Sequence, residues 1–192
     1  MKKVLSYVAP LALVASSFFM PAGLKASPDI EEMDRASVGS TIFEDNLFNI
    51  NSSNWINFEP LQFAVDSATQ DLNLRRLEAK AILVNFWGKW CPSCRADTPN
   101  LEKMWQNYKG SGLVLISLSD NREAISFDAV TDFAREKNLT YPIGMDDSGN
   151  PTFTKYRVFS VPYQVLVDGD GRIIARGHPD QVRTVVDRVM GN

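Results

Sequence analysis

The sequence predicts an α/β domain in which helices flank a mixed central sheet. Residues 81–84 and 113–118 are continuous apolar runs of the kind that form strands buried on both faces. Each run is followed by a segment with the start and stop signals of a helix. Residues 165–167 and 172–175 are two further strand segments, and the Asp-Gly-Asp-Gly sequence between them is typical of a tight antiparallel turn. Strands that alternate with helices and end in a hairpin indicate a mixed sheet.

The other elements follow from their boundary residues. A helix over residues 95–108 should end at the Gly-Ser-Gly sequence of residues 110–112. A second helix is expected to begin at residues 119–121 and to end near residue 138, with a buried face that comprises Ile125, Val130, Phe133 and Ala134. The last elements expected are a short strand over 141–145, a short helix over 150–156 and a valine-faced helix that begins at 179.

The segment before these elements is harder to interpret. Residues 61–65 and 72–74 alternate apolar and polar side chains, so an N-terminal β-hairpin is expected there. Residues 27–58 show no clean period and form a predicted N-terminal extension. They are rich in asparagine and serine, yet they hold too many large apolar residues for a simple linker. Two interpretations stay open: a partly ordered arm that packs on the domain, and a solvated linker.

The first 26 residues have the order of a secretory signal. Lys2 and Lys3 precede an apolar run over residues 4–20, and small residues lead to a cleavage site that we place after Ala26. The alternative is an uncleaved membrane anchor through residues 4–20, which are at the lower length limit for spanning a bilayer. The predicted organisation is therefore a signal peptide or anchor (1–26), an extension (27–58) and a domain (59–192).

Charge excludes two classes of partner. The net charge is −3, and cleavage after Ala26 would remove three lysines and no acidic residue, which leaves −6. Bulk electrostatics therefore argues against binding to nucleic acid or to an anionic membrane surface. Export together with only two cysteines fits an oxidising compartment in which this one pair is functional.

The two cysteines, Cys91 and Cys94, are spaced C-x-x-C between a predicted buried strand and the first turn of a helix. Unpaired backbone N–H groups and the helix dipole favour an anion there, and a cysteine thiolate is such an anion. Pro92 suits the first helical position because it has no N–H to leave unpaired. The pattern predicts a dithiol/disulfide redox site. A zinc site would need more ligands than these cysteines and the single histidine, His178, and an inert structural disulfide is the other alternative.

Two segments carry a family resemblance. Residues 81–99, AILVNFWGKWCPSCRADTP, resemble the active-site segment of the thioredoxin superfamily, and more narrowly that of the periplasmic TlpA/ResA/DsbE-type proteins. Residues 160–171, SVPYQVLVDGDG, resemble the cis-proline loop of the same family and the strand and turn that follow it. The resemblance runs from about residue 60 to residue 189. It implies a thioredoxin-like fold that carries an N-terminal β-hairpin and a strand–helix insertion.

The resemblance also implies roles for individual residues. Cys91 would be the exposed attacking thiolate, and Cys94 the buried thiol that resolves the mixed disulfide. Trp90 would lie beside the thiols. Pro162 would be the cis-proline opposite the cysteines, and the Val161 backbone would pair with an extended partner segment.

Two positions depart from thioredoxin itself. Asn85 stands where thioredoxin has a buried acid, and asparagine cannot take a proton from Cys94. Asp97 lies on the same helix face as Cys94, at a position where similar reductases have a glutamate. We predict that Asp97 tunes or deprotonates Cys94; the alternative is a solvated surface carboxylate. For His178 a surface or capping role is expected rather than catalysis.

The predicted function is that of an exported, periplasmic thiol:disulfide oxidoreductase that needs no cofactor or metal beyond the Cys91–Cys94 pair. By resemblance, it would reduce specific partner disulfides, of the cytochrome c maturation or copper-centre assembly type, and a membrane thiol donor would re-reduce it. Three alternatives stay open: a disulfide oxidase or isomerase, a Cu(I)-binding chaperone that uses the dithiolate, and a redox-silent adaptor.

Overall fold

The computed structural model describes residues 49–50, 54–56, 64, 71–121 and 125–191. The predicted signal peptide or anchor of residues 1–26 lies outside these ranges, and so does the predicted strand over 61–65 apart from Ala64. The strands are β1 (Asn49–Ile50), β2 (Asn54–Ile56), β3 (Leu72–Asn73), β4 (Ala81–Trp87), β5 (Leu113–Ser119), β6 (Ile143–Met145), β7 (Tyr163–Asp168) and β8 (Ile173–Gly177). The helices are α1 (Pro92–Tyr108), α2 (Phe127–Glu136), α3 (Pro151–Lys155) and α4 (Pro179–Met190).

Six of the described strands form one mixed sheet in the order β2-β6-β5-β4-β7-β8. The central strands β4, β5 and β6 are parallel, whereas β7 runs antiparallel to β4 and β8 antiparallel to β7. The predicted mixed sheet and its terminal hairpin are therefore confirmed. In the hairpin turn, the Asp168 carboxylate accepts the N–H groups of Asp170 and Arg172 at 3.0 and 2.8 Å.

Core residues pack on both faces of this sheet, and β4 contributes alternate side chains to each face. Every residue of β4 is buried, as the continuous apolar run predicted. Ala81, Leu83 and Trp87 face a cluster that includes both cysteines and the buried sides of α1, α2 and α4. The alternate residues face a second cluster, which includes Phe153 and Tyr156. The strand that leads to the cysteines is thus held on both sides.

Strand β3 pairs with a strand of the predicted extension. Leu72 and Asn73 pair antiparallel with Ile50 and Asn49, and Leu74 begins a 3₁₀ turn instead of extending the strand. Apart from Ala64, the predicted strand over 61–65 lies outside the described residues, so the expected hairpin stays a prediction. In addition, β2 pairs antiparallel with β6 at the edge of the main sheet. Two short strands from the predicted extension are thus hydrogen-bonded to the part of the chain that follows.

The start of α2 was also predicted wrongly. Residues 119–121 do not open a helix, because Ser119 continues β5 and is in register with Trp87 of β4 and Met145 of β6. The helix begins at Phe127, where the Ser126 hydroxyl accepts the N–H of Ala129 at 3.2 Å. Ser119 is buried although it is polar, and a polar residue after an apolar run indicates the end of a strand, so the sequence did not predict that β5 continues.

Candidate active site

The site forms where β4 ends and α1 begins. Cys91 is the N-cap residue of α1 and Pro92 occupies the first turn, as predicted. The Cys91 sulfur accepts the N–H of Cys94 at 3.1 Å, so it takes one of the unpaired donors of the helix start. The Arg95 guanidinium donates to the Lys89 carbonyl at 3.0 Å and ties the preceding loop to the helix.

Cys91 and Cys94 form a disulfide with their Cα atoms 5.3 Å apart. The Ser93 hydroxyl lies 3.3 Å from the Cys91 sulfur and is the donor in this contact, since a disulfide sulfur carries no proton. The Ser93 hydroxyl and the Cys94 N–H would face the same sulfur as a thiolate after reduction. The local geometry therefore provides donors for an anion at Cys91.

The expectation that Cys91 is exposed is wrong for this disulfide form. Cys91 and Cys94 are both 3% exposed. The Cys91 sulfur is enclosed by Cys94, by Ser93 and by the carbonyl oxygen of Val161, which lies 3.9 Å away. In the disulfide form the Cys91 sulfur is therefore covered by groups from the start of α1 and from the Val161 loop.

The loop before β7 lies against the disulfide. The Val161–Pro162 peptide bond is cis, as expected from the resemblance. Val161 and Pro162 come together with Cys91 although 70 residues separate Val161 from Cys91 in sequence.

Trp90 is half-exposed beside the disulfide and is anchored by Asp120. Its indole Nε1 donates to the two carboxylate oxygens of Asp120 at 3.1 and 3.3 Å. Gly88 permits this arrangement, because a Cβ added there would lie 2.5 Å from Trp90 Nε1. Trp87, by contrast, is buried and packs on Phe133 with ring centroids 5.3 Å apart. The two tryptophans therefore differ in burial, with Trp87 2% and Trp90 41% exposed.

Asp97 is not the solvated carboxylate of the alternative interpretation. Its side chain is 13% exposed and forms an ion pair with Arg183 of α4. It also accepts a hydrogen bond from Asn100 at 3.0 Å. Its second oxygen, Oδ2, is buried without a hydrogen-bond partner among the described residues. Asp97 is thus a largely buried carboxylate that Arg183 and Asn100 fix in position, close to Cys94 in sequence and on the same helix.

Asn85 belongs to a buried polar chain across the centre of the sheet. It lies in register with Ser117 of β5 and Gln164 of β7. Asn85 Nδ2 donates to the Ser117 hydroxyl at 2.8 Å, and Gln164 Nε2 donates to Asn85 Oδ1 at 3.3 Å. The three strands whose ends build the site are therefore tied together by neutral side chains on the cysteine side of the sheet.

His178 caps α4, in agreement with the capping role expected for it. Its Nδ1 accepts the Asp180 N–H at 3.5 Å. Across the described ranges, no three His, Cys, Asp or Glu side chains cluster closely enough to hold a metal ion. Nor does any helix within those ranges have the length and apolarity needed to span a bilayer.

Asp120 and Arg183 were missed at the sequence level. Asp120 had a detectable signal, because it follows an apolar strand at the carboxyl edge of a parallel sheet, where α/β proteins place functional groups. Arg183 had none. It is 86 residues from Asp97, and only the packing of α4 beside α1 brings the two side chains together.

Comparison with known proteins agrees with this geometry. Residues 56–176 match the model of the AhpC/TSA family. A curated relative, the thiol-disulfide oxidoreductase ResA of Bacillus cereus, is 27% identical over 155 residues, which are 80% of this chain and 87% of the relative.

Solved structures show the same fold. A thioredoxin-like superfamily protein aligns with a TM-score of 0.60 at 21% identity, over 75% of this chain and 95% of that one. A thiol-disulfide isomerase from Corynebacterium glutamicum aligns with a TM-score of 0.57 at 19% identity, over 74% and 94%. With its cysteine pair at the start of α1, the chain therefore belongs to the AhpC/TSA family of thioredoxin-like proteins and is an enzyme of the thiol-disulfide oxidoreductase class.

Proposed function

We propose that this enzyme is an exported reductant of specific protein disulfides, of the type used in cytochrome c maturation or copper-centre assembly. The observation that carries the proposal is the Cys91–Cys94 disulfide at the N-terminus of α1, with donors aimed at the Cys91 sulfur and the Val161 backbone beside it. The ResA-named relatives support the thiol-disulfide class. The charged and apolar order of residues 1–26 supports export to the periplasm, as a cleaved protein or one anchored through residues 4–20.

In the proposed reaction the reduced Cys91 thiolate attacks one sulfur of the partner disulfide. A bond forms between Cys91 and that sulfur, and the other partner sulfur leaves as a thiolate. Cys94 then loses its proton and attacks Cys91, which forms the Cys91–Cys94 disulfide and releases the second partner thiolate. Two electrons pass from the enzyme to the partner, and a membrane thiol donor supplies the two electrons that restore the dithiol.

Each remaining site residue has a proposed part in this sequence. Val161 and Pro162 would align an extended partner segment through its main chain, and the half-exposed face of Trp90 would contact the same segment. Asp97 would receive the Cys94 proton or favour its loss during resolution. Its burial beside Arg183 supports a role inside the protein rather than in solvent.

Substitution of one cysteine at a time tests these roles. Cys91→Ser should abolish thiol–disulfide exchange with the partner, because the attacking sulfur is lost. Cys94→Ser should accumulate mixed disulfides, because Cys91 still attacks and nothing resolves the product. The trapped species are measured by non-reducing electrophoresis and mass spectrometry. Failure of Cys94→Ser to trap any partner under oxidising conditions would show that the two roles are assigned wrongly.

The reduction potential of the Cys91–Cys94 pair tests the direction of electron flow. It is measured by equilibration with a glutathione series and followed by tryptophan fluorescence. A value near or below about −250 mV is expected for a reductant of partner disulfides. A value near about −120 mV would instead identify an oxidase on the same fold.

A further inference from the structure

Phe159 is a large apolar side chain that faces solvent close to the disulfide. It is 66% exposed, and Trp90, at 41%, is the other exposed large hydrophobic residue in the described part of the chain. Phe159 lies two residues before Val161, a span of at most about 7 Å along the chain. Trp90 directly precedes Cys91. Trp90 is thus next to Cys91 in sequence, and Phe159 is two residues from Val161, whose carbonyl oxygen lies 3.9 Å from the Cys91 sulfur. Aromatic residues are enriched in binding interfaces.

A cavity of about 540 Å³ opens beside Phe159. We call it the Phe159 pocket. Its volume falls in the range of roughly 300–1,000 Å³ that is usual for ligand sites. Its apolar lining comprises Phe153, Val158 and Phe159, and its polar lining includes Asn121, Ser148 and Thr154. None of the lining side chains within the described residues is charged; residues 122–124, which follow Asn121, lie outside the described ranges.

Asn121, another lining residue, is held in place by two hydrogen bonds. The Asn121 N–H donates to Asn150 Oδ1 at 2.7 Å, and Asn121 Nδ2 donates to the Asp146 carbonyl at 3.3 Å. These bonds fix the end of β5 to the loop before α3. Asp120, the residue before Asn121, holds the Trp90 indole. Two residues of the pocket lining are therefore one or two residues away in sequence from groups that contact Trp90 or the Cys91 sulfur.

We propose that the Phe159 pocket binds an uncharged apolar side chain of the partner polypeptide, a few residues away from the partner cysteine that bonds to Cys91. The partner main chain would run from the Val161 loop over Phe159, and its side chain would bury the exposed ring. A charged side chain would lose water in the pocket without meeting an opposite charge among the described lining residues, so it would be disfavoured. This inference rests on the proposed function, for which it names the recognised feature of the partner.

The test uses the reduced full-length protein and short synthetic peptides. Each peptide contains one cysteine blocked as a mixed disulfide with 2-nitro-5-thiobenzoate. Attack by the Cys91 thiolate bonds Cys91 to the peptide sulfur and releases the coloured thiobenzoate anion. The peptides place Phe, Leu, Ser, Glu or Lys at each of the four positions on either side of the cysteine. Every rate is divided by the rate of the same protein with a small symmetrical disulfide, which does not extend to the pocket.

The wild type should prefer Phe or Leu over Ser, Glu and Lys at one position by about tenfold. Phe159→Gln should lose this preference, and Phe159→Leu should keep most of it. Ser148→Lys introduces a positive charge at an exposed lining position and should shift the preference toward Glu. His178→Asn is the control. Residue 178 lines a different cavity, together with Pro162, and asparagine can still cap α4, so this variant should keep the wild-type preference.

The outcomes separate the two proposals. A wild type without a preference at any position, or an unchanged preference in both Phe159→Gln and Ser148→Lys, would overturn the pocket assignment and leave the reductase proposal standing. A wild-type protein that exchanges with neither the peptides nor the small disulfide would overturn both.

Discussion

Asp97 shows how a single residue can connect the redox helix to the rest of the domain. It lies on α1, three residues after Cys94, and its ion pair reaches Arg183 on α4. Arg183 also binds Asp180, so one guanidinium joins two carboxylates. Because Asp97 Oδ2 has no partner among the described residues, one oxygen is left to interact with a proton or a bound water. The position, and not the residue type alone, supports its proposed role.

Asp97→Asn should slow the resolving step by about tenfold or more, because an amide does not accept a proton from Cys94. The rate of Cys91 alkylation by iodoacetamide should change little. Resolution is measured as release of peptide from a preformed Cys91 mixed disulfide. Asp180→Asn is the matched control, since it removes the other Arg183 contact without altering α1. An equal loss of alkylation and resolution would contradict this division of roles.

Asp146 is a buried carboxyl outside the site. It is 1% exposed and accepts the N–H groups of Asp147, Thr152 and Phe153 at 2.9–3.1 Å. Burial raises the pKa of Asp146 to about 6, although these hydrogen bonds oppose the shift. An unfolded aspartate has a pKa of about 3.9. Between these values the folded state retains a proton that the unfolded state has lost, so stability should fall as pH rises.

The Asp146 contribution to the free energy of unfolding should decrease by up to about 3 kcal/mol between about pH 4 and pH 6. Asp146→Asn retains an acceptor oxygen but cannot titrate, so its stability should lack this decrease. The measurement is urea unfolding of the oxidised wild type and variant across the interval. Parallel pH profiles for the two proteins would show that Asp146 does not titrate in this range.

At the scale of elements, α1 contains a proline in its interior and compensates for it locally. Pro99 has no N–H, so the Arg95 carbonyl lacks its usual helical donor. The Thr98 hydroxyl, on a residue 3% exposed, donates to that carbonyl at 2.9 Å. Threonine before this proline therefore keeps the helix hydrogen-bonded just beyond the cysteines.

Thr98→Val should lower the free energy of unfolding by about 1–2 kcal/mol, because it leaves the Arg95 carbonyl unpaired at nearly constant side-chain volume. The control is the same change in a Pro99→Ala background, where the restored backbone N–H can serve the carbonyl. The cost should then be smaller. Denaturant unfolding of the wild type, the two single variants and the double variant gives the coupling energy between positions 98 and 99. An equal loss of unfolding free energy in both backgrounds would rule out this explanation.

Elements differ in how well their sequences predict them. β4 and β5 were predicted because a strand buried on both faces needs a continuous apolar run. The end of α1 was predicted because glycine follows it. Gly112 has φ +93° there, and its carbonyl accepts the Lys80 N–H at 2.8 Å. The start of α2 was not predicted correctly, because Ser119 is polar yet pairs within the sheet. The pairing of β3 with β1 was not predicted either, because strand pairing is decided across the fold.

At the scale of the whole molecule, the segment before the domain contributes to its sheet. β2 pairs with β6, which would otherwise be the edge strand, and β1 pairs with β3. An uncovered strand edge leaves backbone donors and acceptors to water or to other chains. We therefore expect the domain to require part of the 27–58 segment for stability, although two strands, β6 and β5, separate β2 from the strand β4 that leads to the cysteines.

A protein that begins at residue 59 should melt at least about 5 °C below one that begins at residue 47, which retains β1 and β2. Both should exchange with a small disulfide at similar rates, because the Cys91 surroundings are the same. Thermal unfolding by circular dichroism provides the comparison. Equal melting temperatures would indicate that pairing of β1 and β2 adds no stability.

The sequence by itself determined the cysteine pair, its position at a helix start and the mixed α/β sheet, since all three depend on local spacing and periodicity; the thioredoxin-like fold was implied by the resemblance of residues 81–99 and 160–171 to that superfamily. Tertiary structure alone decided which side chains meet around that pair. Asp120 reaches Trp90 across 30 residues, and Arg183 reaches Asp97 across 86. Val161 lies beside Cys91, 70 residues away in sequence, because the loop before β7 passes the disulfide. Such contacts depend on strand order and helix packing, which no local pattern in the chain encodes.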